Sequence, residues 1–166
     1  MSEIYLAGGC FWGLEEYFSR IKGVTKTTVG YANGITEATN YQQLHTTDHA
    51  ETVHVTYDEA VISLTDILRY YFRVIDPLSI NKQGNDVGRQ YRTGIYYSVD
   101  TDLPVINKAV ASQKKKLGAE LAVEIEPLRN YILAEDYHQD YLDKNPGGYC
   151  HLPSSLFEYA RKAREK

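Results

Sequence analysis

Apolar positions along the chain fall into two patterns, short runs or alternations and longer stripes at helical spacing, and the two succeed one another from the first residues onward. Residues 3–9, EIYLAGG, are an apolar run ended by glycines and predict a central strand. Leu14, Tyr17, Phe18 and Ile21 then recur at i, i+3, i+4 and i+7, the stripe of an amphipathic helix that stops before Gly23. Residues 24–34, VTKTTVGYANG, are rich in β-branched side chains and run into an Asn-Gly turn signal. Within residues 51–58, ETVHVTYD, strand parity puts Glu51, Val53, Val55 and Tyr57 on one face and Thr52, His54 and Thr56 on the other. Ser63 caps the next helix, carried by Leu64, Ile67, Leu68, Tyr71, Phe72 and Ile75 until Asp76-Pro77 stops it.

A loop over 81–90 leads into a strand over 91–99, so the order to this point is strand, helix, strand, strand, helix, strand. That order predicts an α+β fold with a ferredoxin-like split βαβ sandwich core. A helix from Leu103-Pro104, a strand over 121–126 stopped by Pro127 and a short helix over 134–142 add C-terminal elements. The turn-rich stretch NPGGYCHLPSS opens a mobile C-terminal tail, residues 145–166. No repeat, low-complexity tract or linker interrupts the chain, which reads as a single domain over 1–166.

Composition narrows the classes of function. The length of 166 residues with 43% hydrophobic content suits one core that needs no staples. A net charge of −4 gives no footprint for nucleic acid or an anionic membrane, and the basic runs SQKKKLG and ARKAREK read as solvated helix faces or a frayed end. No 18-residue apolar run is present, and MSEIYLAGG has neither the basic nor the long apolar region of a signal peptide, so a cytoplasmic, monomeric protein is expected. In a reducing compartment two cysteines do not make a permanent disulfide, and they are too few for the usual four-ligand zinc sites unless histidines contribute. What remains is a pair of inert buried thiols or a redox-active pair.

The surroundings of Cys10, in GGCFWGLEEYF, favour reactivity. A helix opening at Cys10 sets the sulfur where unpaired N–H groups and the positive end of the helix dipole converge, which favours thiolate over thiol. Gly8 and Gly9 let the backbone turn tightly and leave the sulfur approachable. Phe11 and Trp12 fall outside the stripe that begins at Leu14, and are expected as an exposed aromatic wall for a small apolar group beside the nucleophile. Filling of the core by the same two rings is the alternative that the pattern leaves open.

Six blocks, GGCFWGLEEYF, GVTKTTVGYANG, DHAETVHVTYD, QGNDVGRQYRTGIYY, EDYHQDYL and NPGGYC, occur in order over about residues 4 to 151. Together they resemble the A-type peptide methionine sulfoxide reductases. The resemblance implies reduction of the S epimer of methionine sulfoxide, free or in a protein, for the repair of oxidised proteins. It implies Cys10 as nucleophile, Phe11 and Trp12 as the cup for the substrate methyl group, and Glu51, Asp86, Tyr91 and Tyr41 as further catalytic residues. It implies Cys150 as the resolving thiol, with thioredoxin as reductant through a Cys10–Cys150 disulfide and no metal or organic cofactor. Two departures stand out: no proline precedes Tyr41, whose spacing to Glu51 is about two residues short, and no cysteine follows Cys150, so the cycle has one resolver.

The chemistry of the residues agrees with these roles independently. A sulfoxide oxygen is a poor leaving group unless it takes up a proton as a thiolate attacks the sulfur, so a general acid must stand beside it. Glu51 shares its strand face with apolar side chains, where burial raises a carboxyl pKa. Tyr41 and Tyr91 are O–H donors among 15 tyrosines, and Asp86, between Gly84 and Gly88, reads as a turn former or as a carboxylate that orients water. Three rivals stand beside this reading. A Cys/His hydrolase or acyltransferase would draw its base from His45, His49, His54, His138 or His151. A metal-binding module would use His45, His49 and His54, and a non-catalytic binding protein would keep the fold alone. His49 and His138 read as hydrogen-bonding structural histidines.

Overall fold

The computed structural model of the chain describes residues 1–36, 39–83 and 86–139. It is a mixed α/β fold. Six strands, β1 (Ser2–Gly8), β2 (Val24–Ala32), β3 (Ala50–Tyr57), β6 (Thr93–Tyr97), β7 (Glu124–Pro127) and β8 (Tyr131–Leu133), form one sheet in the order β7-β6-β1-β3-β2-β8. All neighbours are antiparallel except β6 and β7. Between these strands run α1 (Phe11–Ser19), a single helical turn α2 (Leu44–Thr47), α3 (Leu64–Val74) and α4 (Leu103–Leu117). A two-stranded ribbon of β4 (Lys82–Gln83) and β5 (Asp86–Val87) lies within the segment read as a loop over 81–90.

The two periodicities meet on one face of the sheet. Ile4 and Leu6 of β1, Val29 and Tyr31 of β2, Val53, Val55 and Tyr57 of β3 and Ile95 of β6 pack against Phe11, Leu14, Tyr17 and Phe18 of α1 and Ile67, Leu68 and Tyr71 of α3. The other face carries a smaller cluster of Tyr5, Ala7, Ala32, Ala50 and Tyr96, with Leu128 and Tyr131 against it. Burying a large apolar side chain is worth about 1.5–3 kcal/mol, so the helix-covered face supplies most of the stability. Ser63 caps α3 through its side chain, which accepts from the Asp66 N–H at 3.1 Å.

Several elements are shorter or newer than the sequence pattern suggests. The strand expected over 91–99 is confined to Thr93–Tyr97, because Arg89–Tyr91 closes a 3-10 turn. The helix expected over 134–142 appears as a 3-10 turn at Asp136–His138, and residues 140–142 of that segment lie outside the described residues. β8 was not foreseen; its three residues pair with Gly30, Tyr31 and Ala32, and so short a segment has too few positions to show alternation. The tail expected over 145–166 also lies outside the described residues. Among the described residues no helix is long and apolar enough to cross a membrane.

Candidate active site

Strand directions gather four chain segments at one end of the sheet. Ala7 pairs with Thr52, Gly8 with Thr93 and Ala32 with Ala50, so the end of β1, the starts of β3 and β6 and the end of β2 lie side by side. The head of α1, the turn before β6 and the β2–β3 connection with Tyr41 therefore converge there. At Gly8 an added Cβ would lie 2.6 Å from Ile75 Cγ2, so any other residue would force that side chain to shift. Gly9, at φ 88°, then turns the chain into the helix.

Cys10 is the N-cap of α1, with extended backbone (φ −61°, ψ 124°), a 7% exposed side chain and no side-chain capping bond. The N–H of Phe11, one residue on, donates instead to Glu51 Oε1 at 3.3 Å. Gln90 Nε2 donates to the other oxygen, Oε2, at 2.8 Å. Glu51 is 1% exposed on the helix-covered face of β3. Burial pushes its carboxyl up to about 8; the bonds from Gln90 and Phe11 pull the other way and the nearby Asp86 charge adds to the rise. At neutral pH Glu51 is thus mostly a carboxylic acid, bonded to the N–H of the residue that follows Cys10.

Tyr41 and Tyr91 share a side-chain hydrogen bond. Burial, followed by the Glu51 charge, raises both phenols above their ordinary value, so each remains an O–H donor. Tyr41 also feels Cys10 and Asp86, and Tyr91 feels Asp86, which places the four groups in one electrostatic cluster with Glu51. Asp86 is the first residue of β5 rather than part of an open loop.

The expected exposed aromatic pair is corrected for Phe11. Its ring is fully buried, 5.7 Å from the Tyr31 ring and 5.2 Å from the His138 ring, while Trp12 is half-buried. The helical stripe could not show this, since the first residue of α1 lies over the end of the sheet and is covered by a segment far along the chain. Cys150 and His151 lie outside the described residues.

Sequence reasoning missed Gln90 as a partner of Glu51 and His138 as a partner of Trp12. Their neighbours in the blocks QYR and DYHQD were the available signal, but each contact is long-range. It also missed a clasp in which Arg89 Nε and Nη2 reach the two Asp48 oxygens at 2.9 Å each, tying the turn that carries Gln90 to the residue three before Glu51. Arg92, 3% exposed, is satisfied by Glu124 Oε1 at 2.7 Å and by the carbonyls of Arg89 and Asn33. Of the histidines named for rival chemistries, His49 bonds Thr47 Oγ1, while His54 bonds Glu3 and stacks on Tyr5. Among the described residues no three His, Cys, Asp or Glu side chains group as metal ligands.

A cysteine at the N-cap position of a helix, with a buried carboxyl bonded to the next N–H and two phenols in the same cluster, is an arrangement suited to a thiol-dependent enzyme. Comparison with known proteins makes the class specific. The family model described as peptide methionine sulfoxide reductase matches residues 2–166. Mxr1 from Saccharomyces cerevisiae in reduced form superposes with a TM-score of 0.84 at 39% identity, over 89% of this chain and 87% of that one. Methionine sulfoxide reductase A of Corynebacterium diphtheriae gives 0.81 at 36% identity, over 90% and 77%. The yeast protein in complex with Trx2 gives 0.61 at 29% identity, over 84% and 83%. The chain belongs to the peptide methionine sulfoxide reductase family and is an oxidoreductase. The hydrolase and acyltransferase readings are set aside.

Proposed function

We propose that Cys10 attacks the sulfur of an S-epimer methionine sulfoxide, free or within a protein, while Glu51 protonates the departing oxygen. The observation that carries this reading is the buried Glu51 carboxyl, protonated near neutrality and bonded to the N–H of the residue after Cys10. The attack leaves a bond between the Cys10 sulfur and the substrate sulfur, and the oxygen departs as hydroxide with the Glu51 proton. Hydroxide then attacks the Cys10 sulfur, and the S–S bond breaks with its electron pair going to methionine, which leaves. Cys10, two electrons poorer, is left as a sulfenic acid. Tyr41 and Tyr91 hold the oxygen by their O–H groups, and Asp86 orients them and nearby water. Trp12 and the edge of the buried Phe11 ring cup the methyl group.

The Cys150 thiol then condenses with the sulfenic acid, water leaves, and a Cys10–Cys150 disulfide forms. Thioredoxin returns two electrons through a mixed disulfide, and the yeast relative bound to Trx2 supports that partner. All electrons travel on sulfur, so the cycle calls for no metal or organic cofactor. Residues 1–166 are read as one domain whose stretch 145–166 carries the resolving cysteine. The order of its first four main strands, fourth-first-third-second across the sheet, supports a ferredoxin-like split βαβ core. We read the protein as a cytoplasmic monomer serving the repair of oxidised proteins, without nucleic acid or membrane partners.

The test is incubation with the separated R and S epimers of a methionine sulfoxide derivative and dithiothreitol. A chiral sulfur must present its methyl to Trp12 and its oxygen to Glu51 at once, so only the S epimer should turn over. Equal turnover of both would reject this site.

A further inference from the structure

We propose that His138 is a positioning residue and specificity determinant, which locks the Trp12 indole in place so that the pocket beside Cys10 is shaped for a methyl group before substrate arrives. The proposal rests on the reading of Trp12 as part of the methyl cup. Trp12 Nε1–H donates to His138 Nδ1 at 3.0 Å, a contact between residues 126 apart in sequence. The imidazole also packs 5.6 Å from the Trp12 ring, 5.2 Å from Phe11 and 5.1 Å from Tyr41, touching three aromatic residues of the proposed pocket.

The chain spends its own backbone to hold His138 there. Ala134 N–H donates to the Val29 carbonyl at 3.0 Å, and the Gln139 side chain accepts from Val29 N–H at 2.9 Å and donates to Val29 O at 2.8 Å. The turn that carries His138 is therefore stapled to the edge of β2 on both sides. His138 is itself 2% exposed. An indole has a donor and no acceptor, so this bond requires the His138 proton on Nε2, which lies 3.6 Å from Glu135 Oε2. Burial holds the imidazole below its ordinary pKa, against the Glu135 charge, and keeps Nδ1 available as the acceptor at neutral pH. Indole torsions that this bond holds fixed before substrate arrives are ones that substrate binding does not have to freeze.

The chain contains one tryptophan, so fluorescence excited at the red edge of indole absorption, beyond that of the 15 tyrosines, reports on Trp12 alone. His138→Phe and His138→Leu remove the acceptor and keep bulk; His138→Asn puts an amide oxygen where Nδ1 stood. The acceptor-free variants should red-shift Trp12 emission and make it easier to quench with acrylamide. With N-acetyl-methionine S-sulfoxide amide they should raise KM about tenfold, the ratio equivalent to one ordinary hydrogen bond, with kcat held within about threefold. The preference for this methyl sulfoxide over its ethyl homologue should fall in parallel, and His138→Asn should recover most of each property. If His138→Phe does not melt cooperatively, His138→Leu carries the same comparison. Acceptor-free variants with wild-type emission and preference, or an Asn variant no better than Phe, would overturn the proposal. The underlying cup is judged separately by Trp12→Phe: wild-type methyl preference there rejects the cup, while the emission measurements still decide whether His138 holds the indole.

Discussion

The two helices that face the core begin in opposite ways. At the head of α3, Ser63 is extended, its side chain accepts from the Asp66 N–H, and Asp66 supplies negative charge to the first turn. At the head of α1, Cys10 is equally extended but makes no side-chain cap, and the first turn has no acidic residue. The first N–H of the helix, that of Phe11, goes instead to a carboxyl from β3, forty residues along the chain. One helix is started by local chemistry that any helix can use. The other gives up a good cap to place a sulfur at the positive end of the helix and to hold a protonated acid next to it. On the proposed mechanism, the residue at this helix head serves the reaction rather than the helix.

The contrast is broken most completely at Cys10. Cys10→Ser should yield not even one equivalent of methionine in a single turnover, while its hydroxyl, a better cap than a thiol, should leave stability equal or up to about 1 kcal/mol higher by denaturant titration. Cys150→Ser should fail differently: about one methionine per enzyme, then a stall with thioredoxin as reductant and partial recovery with dithiothreitol. Normal cycling of that variant on thioredoxin would remove Cys150 from the mechanism.

Glu51→Gln keeps the shape of the borrowed cap and removes its proton, so the reductive step should slow by roughly 10²–10⁴ in rapid-mixing experiments. The wild-type rate of that step should fall as pH rises through about 8, the value to which burial lifts Glu51, and the variant should lack this limb. Stability carries the same signature. A carboxyl whose folded pKa is raised from 4.5 to about 8 adds stability that is complete below the lower value and lost as pH rises through the upper one. Glu51→Gln should therefore gain on the wild type in Tm between about pH 5 and 9, by several degrees; parallel melting curves across that range would mean that Glu51 is ionised throughout.

The smallest effect belongs to the ordinary cap. Ser63→Ala should cost about 1 kcal/mol in chemical denaturation and leave the rate of sulfoxide reduction untouched. A loss of activity beyond that of stability would show that the two helix heads are not independent.

How much of this was legible in the chain follows from the range of each interaction. The stripe from Leu64 to Phe72, the cap at Ser63 and the parity that places Glu51 with Val53 and Val55 are all set within a turn or two of their own residues. Periodicity shows them directly. The six ordered blocks likewise carried the family, because resemblance in sequence needs no contacts. Phe11 was misplaced for the opposite reason: its burial is imposed by Tyr31 and His138, neither of which lies on its helix. The three residues of β8, and the bond from Gln90 to Glu51 across 39 positions, leave no local trace either. Sequence by itself determined which groups could react, a thiol at a helix head and a carboxyl on an apolar strand face. Tertiary structure alone decided what each of them is. Antiparallel pairing brought the head of α1 to the start of β3, and the exclusion of water there, a property of the whole packed end of the sheet, turned an ordinary glutamate into an acid that holds its proton at neutral pH.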